Sequence, residues 1–175
     1  MNVKNKMTSF KEKGVYELAL LTRNVNLQMN LVGSNLVEVL TKKISSMYDG
    51  KCIVEGFVKP GSINIITTSS GVISGTNVSF EVVFQCQISY LVEGMNINCI
   101  AKNITKAGIR GESADETQSP FIIFIARDHH FMNEYFTSIK ENDTFTAKVI
   151  GQRFELNDKY ISIIGELKNP KYIKK

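Results

Sequence analysis

Residues 98–111, NCIAKNITKAGIRG, and residues 119–130, SPFIIFIARDHH, decide the reading of this chain. Each is a strand-like run that ends on basic or polar residues, and a short acidic stretch (Glu112, Ser113, Ala114, Asp115, Glu116) joins them. The first run reads as a hairpin at Gly108, with Lys102, Lys106 and Arg110 along it. The second is a strand over 121–126 that carries Phe121 and Phe124 into a loop of Arg127, Asp128, His129 and His130. Cations that follow a phosphate backbone and rings that stack on bases are what a surface for single-stranded nucleic acid requires.

The flanking segments turn this pair into a larger sheet. Over 95–104, Met95, Ile97, Cys99 and Ala101 alternate with Asn96, Asn98 and Lys102, while Ile100 and Ile104 fall on the polar side, as small barrels tolerate near corners. Residues 145–153 and 160–166 supply two more strands. Between them and the third strand lies an insert, 131–139, whose Phe131, Tyr135 and Ile139 recur at helical spacing and are expected to pack on the barrel. Five strands (95–104, 107–110, 121–126, 145–153, 160–166), with a hairpin after the first and a helical insert after the third, predict an OB-type β-barrel over 91–167.

The first half of the chain has a different pattern. Residues 14–27 read as a strand. Leu36, Leu40, Ile44 and Met47 then mark one face of a helix, with Asn35 and Glu38 at capping-box spacing and Asp49-Gly50 as the stop. A strand over 51–58, a turn at Pro60-Gly61, a strand over 63–67 and a Gly/Ser-rich turn over 69–75 follow. Residues 78–88 are the clearest strand: Phe80, Val82, Phe84, Cys86 and Ile88 point one way and Ser79, Glu81, Val83, Gln85 and Gln87 the other, so one face packs on the helix. The prediction is an α+β protein, with an N-terminal strand, helix and antiparallel sheet over 14–90 that meets the barrel at the Glu93-Gly94 turn.

Charge is distributed unevenly. Residues 1–13 carry four Lys against one Glu, and residues 167–175 carry Lys168, Lys171, Lys174 and Lys175, so the net charge of +4 comes from a basic arm over 1–13 and a basic tail over 168–175. Residues 14–90 balance at five positive and five negative, and residues 91–166 hold eight positive against eleven negative. A uniformly basic binding surface is excluded, and contact with nucleic acid from the folded body is expected to be local. No run of about 18 apolar residues occurs, and MNVKNKMTSFKEKG lacks the apolar centre of a signal peptide, so no membrane partner and a reducing compartment are expected. Cys52, Cys86 and Cys99, odd in number and without a CxxC, read as buried thiols.

Taken in order, these segments resemble the stalk subunit of multisubunit DNA-directed RNA polymerases, the seventh subunit of the eukaryotic enzyme and its archaeal counterpart. The residues that carry the resemblance are NLQMNLVGSNLVEVL (26–40), GKCIVEGFV (50–58), 63–75 leading into VSFEVVFQC, LVEG (91–94) followed by NCIAKNITKAGI, and IIFIARDHH. The wording of the barrel and the Ile-, Asn- and Lys-rich composition are most similar to the divergent versions of large cytoplasmic DNA viruses, although AT-rich cellular genomes produce such composition too. The resemblance implies an N-terminal tip domain that docks on the polymerase core and a barrel that guides nascent RNA. It implies an intracellular protein, nuclear if cellular and eukaryotic, in the cytoplasm or virion if viral. Its partners would be the core subunits and single-stranded RNA, with or without a second stalk subunit.

The core contact carries over to Lys59, Pro60 and Gly61 and to Ser70, Gly71, Val72, Ile73 and Gly75, with Val72 and Ile73 as apolar anchors. RNA contact is assigned to Lys102, Lys106, Arg110 and Arg127, with Lys148 and Arg153 as further cations. Many barrels of this type place an aromatic directly after the hairpin glycine, but Gly108 is followed by Ile109. Phe121, Phe124 and His129 are the substitutes for that ring. The competing reading of the cations is that they are ordinary solvated side chains partnered with nearby acids. Asp128-His129-His130 has zinc-ligand chemistry but no further ligand at recognisable spacing. No cofactor is expected, and no Ser/His/Asp, Cys/His or phosphate-loop arrangement supports catalysis. The alternative from another class is a free-standing OB-fold RNA-binding or translation-associated protein.

Overall fold

The structure, a computed structural model, describes residues 14–169, so the basic arm over 1–13 and most of the tail over 168–175 lie outside the described residues. The chain is mixed α and β, mostly strand, in two sheets, one of them a closed five-stranded barrel. Among the described residues no helix is long and apolar enough to cross a membrane.

The first sheet is built on β6 (Asn77–Ser89), the strand with the strictest alternation. Along one edge β6 pairs with β1 (Glu17–Gln28) through twelve antiparallel pairs, from Glu17 opposite Ile88 to Gln28 opposite Asn77. Along its other edge it takes β3 (Gly56–Val58), β4 (Asn64–Thr68) and β5 (Val72–Ser74) in turn, and β2 (Cys52–Ile53) pairs with β3. The even-numbered residues of β6 face α1 (Leu36–Tyr48): Phe80, Val82, Phe84, Cys86 and Ile88 are buried with Leu40 and Ile44 of the helix and Leu21, Val25 and Leu27 of β1. Removal of such side chains from water, at about 1.5–3 kcal/mol each, fixes the register, because a slip by one residue would expose them all.

Three local expectations are corrected here. Asn35 precedes α1, but its side chain makes no capping bond, and Glu38 pairs with Lys42 one turn on (2.7 Å), so no capping box forms. The run over 51–58 is a hairpin of β2 and β3, since Val54 and Glu55 form its turn. The Gly/Ser-rich segment contains the short strand β5, which hydrogen-bonds to the start of β6.

The barrel comprises β7 (Asn96–Ile104), β8 (Gly108–Ser113), β9 (Phe121–Ala126), β10 (Thr144–Arg153) and β11 (Ile161–Leu167), in the order β10-β11-β9-β8-β7, with β7 pairing β10 to close it. Every pair is antiparallel except β9 with β11. Ile97, Cys99, Ile109, Phe121, Ile123, Ile125, Phe145, Val149 and Ile161 fill the interior. β8 runs farther than expected, so Glu112 and Ser113 belong to its ladder and not to the acidic loop.

The insert folds as a single short helix, α2 (Glu134–Ser138), started by Asn133, whose side chain accepts the Tyr135 N–H at 3.0 Å. Phe136 and Ile139 pack down on the core. Tyr135, partly buried, packs against it as well, whereas Phe131 is 70% exposed because it precedes the helix.

Packing crosses the boundary at 90/91. Cys52 and Phe57 of the β2–β3 hairpin are buried in the barrel's apolar cluster together with Leu91. The Cys52 N–H donates to the Asp158 carbonyl (2.7 Å) and the Asn157 N–H to the Cys52 carbonyl (2.9 Å), which ties that hairpin to the β10–β11 loop.

Candidate nucleic-acid interface

The outer face of β8 and β9 gathers part of the expected set. Arg110 is exposed on β8 and stands opposite Asn103 on β7 and Phe124 on β9. Phe124 is 38% exposed, and it lies directly across from Ile164 on β11, also exposed. Its ring end sits over Gly108: a Cβ there would come 2.9 Å from Phe124 Cζ and 2.1 Å from the Ile125 carbonyl oxygen, so the hairpin residue must be glycine. Lys102 lies on β7 where the β7–β8 register shifts, and Lys106 lies in the turn between the two strands; both are exposed. Lys102, Lys106, Arg110 and Phe124 therefore share one end of the barrel.

The remaining expected contacts are arranged differently. Phe121 is fully buried inside the barrel, on the opposite side of β9 from Phe124, and offers no ring to a ligand. Arg127 is occupied: its Nε donates to the Lys106 carbonyl (2.9 Å), its Nη2 to the Thr105 carbonyl (3.0 Å), and its guanidinium lies 5.2 Å from the centre of the Phe136 ring. It fixes the turn that presents Lys106. His129 is exposed in a 3₁₀ turn beyond β9.

Lys148 is opposite Asn96, six residues from Lys102 along β7, a separation of about 20 Å at the rise of a strand. Arg153, at the far end of β10, pairs with Glu155 at 3.1 Å. One continuous cationic band over all six residues does not form. Alternation places these side chains outside the barrel, but the shear of its strands sets how far apart they are.

His130, next to His129, is buried, and both its ring nitrogens are engaged. Nε2 accepts the Leu167 N–H at 3.0 Å, so Nδ1, 2.8 Å from the Ala126 carbonyl, carries the proton and donates to it. The ring stacks on Phe136 at 5.6 Å. His130 thereby joins the ends of β9 and β11 to α2.

The expected core-contact residues fall into two separate places. Lys59, Pro60 and Gly61 lie at the barrel end of β6, where the Lys59 N–H donates to the Gln87 carbonyl. The Lys59 ammonium pairs with Glu116 of the barrel (3.1 Å) and sits 4.7 Å over the Tyr16 ring. That contact is internal. Burial and the Glu116 charge push the Tyr16 hydroxyl well above its ordinary range. Ser70 and Gly71 lead into β5, Val72 and Ile73 lie on it, and Gly75 turns the chain into β6; this segment pairs with residues 77–79. The two places are about 30 Å apart at the rise of a strand, with Gln87 and Val78 as the reference points on β6.

Neither protein-family models nor curated proteins give a match to this chain. What it can do is therefore read from its own geometry.

The structure adds residues to both ends. Beside Val72 and Ile73, the exposed Met29, Leu31 and Val32 flank the start of β6 from the β1 side, where the Met29 N–H donates to the Thr76 carbonyl. In the sequence they fall between the first strand and the helix, and nothing local marks them as an exposed apolar group. Ile164 is equally silent, since ISII offers two adjacent isoleucines of which one must face out.

Proposed function

We propose that this chain is a non-catalytic stalk subunit of a DNA-directed RNA polymerase. Its remote tip docks on the core enzyme, and its barrel holds emerging RNA. One observation carries the reading. The barrel has the order first-second-third-fifth-fourth, a parallel third–fifth pair and a helix between the third and fourth strands, which is compatible with an OB arrangement, and it follows a strand–helix–sheet unit as in the family the sequence resembles.

Barrels of this kind bind oligonucleotides on their second and third strands and on the loops after the first and fourth. Here the second and third strands are β8 and β9, which hold Arg110 and Phe124, and the first of those loops holds Lys106. The second loop is bonded to Cys52, so RNA would follow the Lys106 side. With a few cations and one ring, contact would be weak, salt-sensitive and tolerant of sequence, as suits a transcript that must keep moving. At the tip, Met29, Leu31, Val32, Val72 and Ile73 give an apolar surface without charge, suited to a lasting protein contact.

The test is photocrosslinking in stalled elongation complexes with 4-thiouridine in the transcript. Adducts at Lys102, Lys106, Arg110 or Phe124 that vanish in an Arg110→Glu/Lys106→Glu variant are expected. Complexes that contain the chain but give no barrel adduct at any transcript length would remove RNA guidance.

A further inference from the structure

Among the described residues, β1 is an edge strand that pairs only with β6, through a register that has no bulge. It contains no Pro and no Lys, and Arg23 turns inward to the Glu55 carboxylate (2.6 Å). Natural edges of this length are commonly blunted by charges, prolines or bulges, or covered, because their free N–H and C=O groups template another strand.

The direction of those groups follows from the far side of β6. The Glu81 carbonyl accepts from the Ser69 N–H and the Gln87 carbonyl from the Lys59 N–H, so odd-numbered residues of β6 turn their backbone groups away from β1. Their partners on β1 (Leu18, Leu20, Thr22, Asn24 and Asn26) are then non-hydrogen-bonded pairs, and direct their own N–H and C=O to the free edge. The Arg23 guanidinium takes the Thr22 carbonyl (3.0 Å); for Leu18, Leu20, Asn24 and Asn26 no backbone partner exists among the described residues.

The side chains of the same residues indicate what would pair there. Leu18 and Leu20 are 66% and 64% exposed, while Thr22, Asn24 and Asn26 are polar and exposed. Beyond Leu18 the edge runs into a groove between sheet and barrel, walled by Val15, Tyr90, Val92 and Met95, with Glu17 and Glu55 also on its lining. A second copy paired antiparallel about Thr22 would set Leu18 against Asn26 and Leu20 against Asn24, which matches apolar with polar.

We propose that β1 receives an extended segment of a different protein chain as an added strand. That segment carries apolar side chains at the Leu18–Leu20 end, the last of them seated in the groove, and polar ones opposite Thr22 to Asn26. Main-chain bonds supply the affinity and the groove the register. The proposal stands whether or not the barrel contacts RNA.

Benzophenone-phenylalanine placed singly at 18, 20, 22, 24 and 26 of the full chain, in complexes isolated from its source, tests it. Adducts on one segment of another chain that advance by about two residues for each step of two along β1 are expected. Asn24→Pro, which removes one outward N–H and leaves the β6 ladder whole, should cut those adducts at least tenfold with the thermal midpoint of the free protein retained. Adducts on a second copy, on residues 1–13 of the same chain or at helical spacing would overturn the proposal. So would an absence of protein adducts, or adducts that survive Asn24→Pro in folded protein.

Discussion

Arg110 and Phe124 stand directly opposite one another on the outer face of the barrel, and the Phe124 ring lies over Gly108. The residue after the hairpin glycine is Ile109, buried inside, so the exposed ring beside that glycine comes from the neighbouring strand. Phe124→Ala should weaken retention of single-stranded RNA by the roughly 1–3 kcal/mol of one stacked base. Arg110→Gln should lower the slope of log affinity against log salt by about 0.7, the value for one phosphate contact to a single strand. Fluorescence anisotropy with a short labelled RNA reads both. Phe121→Ala should instead cost about 3–5 kcal/mol of stability, seen by denaturant unfolding.

The tip should tolerate charge in the free protein but not in the assembly. Val72 and Ile73 are exposed, so Val72→Asp with Ile73→Asp should leave the thermal midpoint within a few degrees of wild type. Recovery of the polymerase core with the tagged chain should fall at least tenfold. Lys59→Asp, at the other end of β6, should leave recovery unchanged, because Lys59 faces Glu116 of its own barrel.

His130 is expected to act on stability and not on binding. His130→Phe keeps the stacking on Phe136 but leaves the Leu167 N–H and the Ala126 carbonyl without their ring partner. Each orphaned buried group costs about 1–3 kcal/mol, a loss that urea unfolding resolves. His129→Phe, on an exposed residue, should be close to neutral.

The three thiols set an alkaline limit. Burial pushes Cys52 and Cys86 up to about 11 and Cys99 up to about 12, with lesser contributions from Asp158, Glu55 and Asp115 respectively. An unfolded thiol titrates near 8.5, so the unfolded chain releases these protons first. Their contribution to stability is whole below about pH 8.5 and is lost as pH rises towards 11–12. The urea midpoint should fall steadily over that window, and a thiol reagent at pH 8 should label none of the three without denaturant.

Much of the fold was legible because alternation reports burial directly. Phe80 to Ile88 shows its faces in the sequence, and the five barrel strands lie within a few residues of their expected bounds. What alternation cannot carry is distance around a closed sheet. Lys148 and Arg153 read as members of the Lys102 band, yet the pairing of β7 with β10 sets Lys148 about 20 Å from Lys102. Phe121 and Phe124 are three apart, so a strand must turn one in and one out, and only packing shows that Phe121 goes in. Lys59 likewise looked exposed from local sequence. Its partner Glu116 is 57 residues away, and only the joined domains bring them together.

The most direct measurement of the central claim is a mild-salt affinity purification of the tagged full chain from its native source, with co-purifying chains identified by mass. The account expects the large polymerase subunits in stoichiometric yield from wild type, and their loss from the Val72→Asp/Ile73→Asp variant. Recovery of RNA or ribosomal particles without those subunits would contradict it.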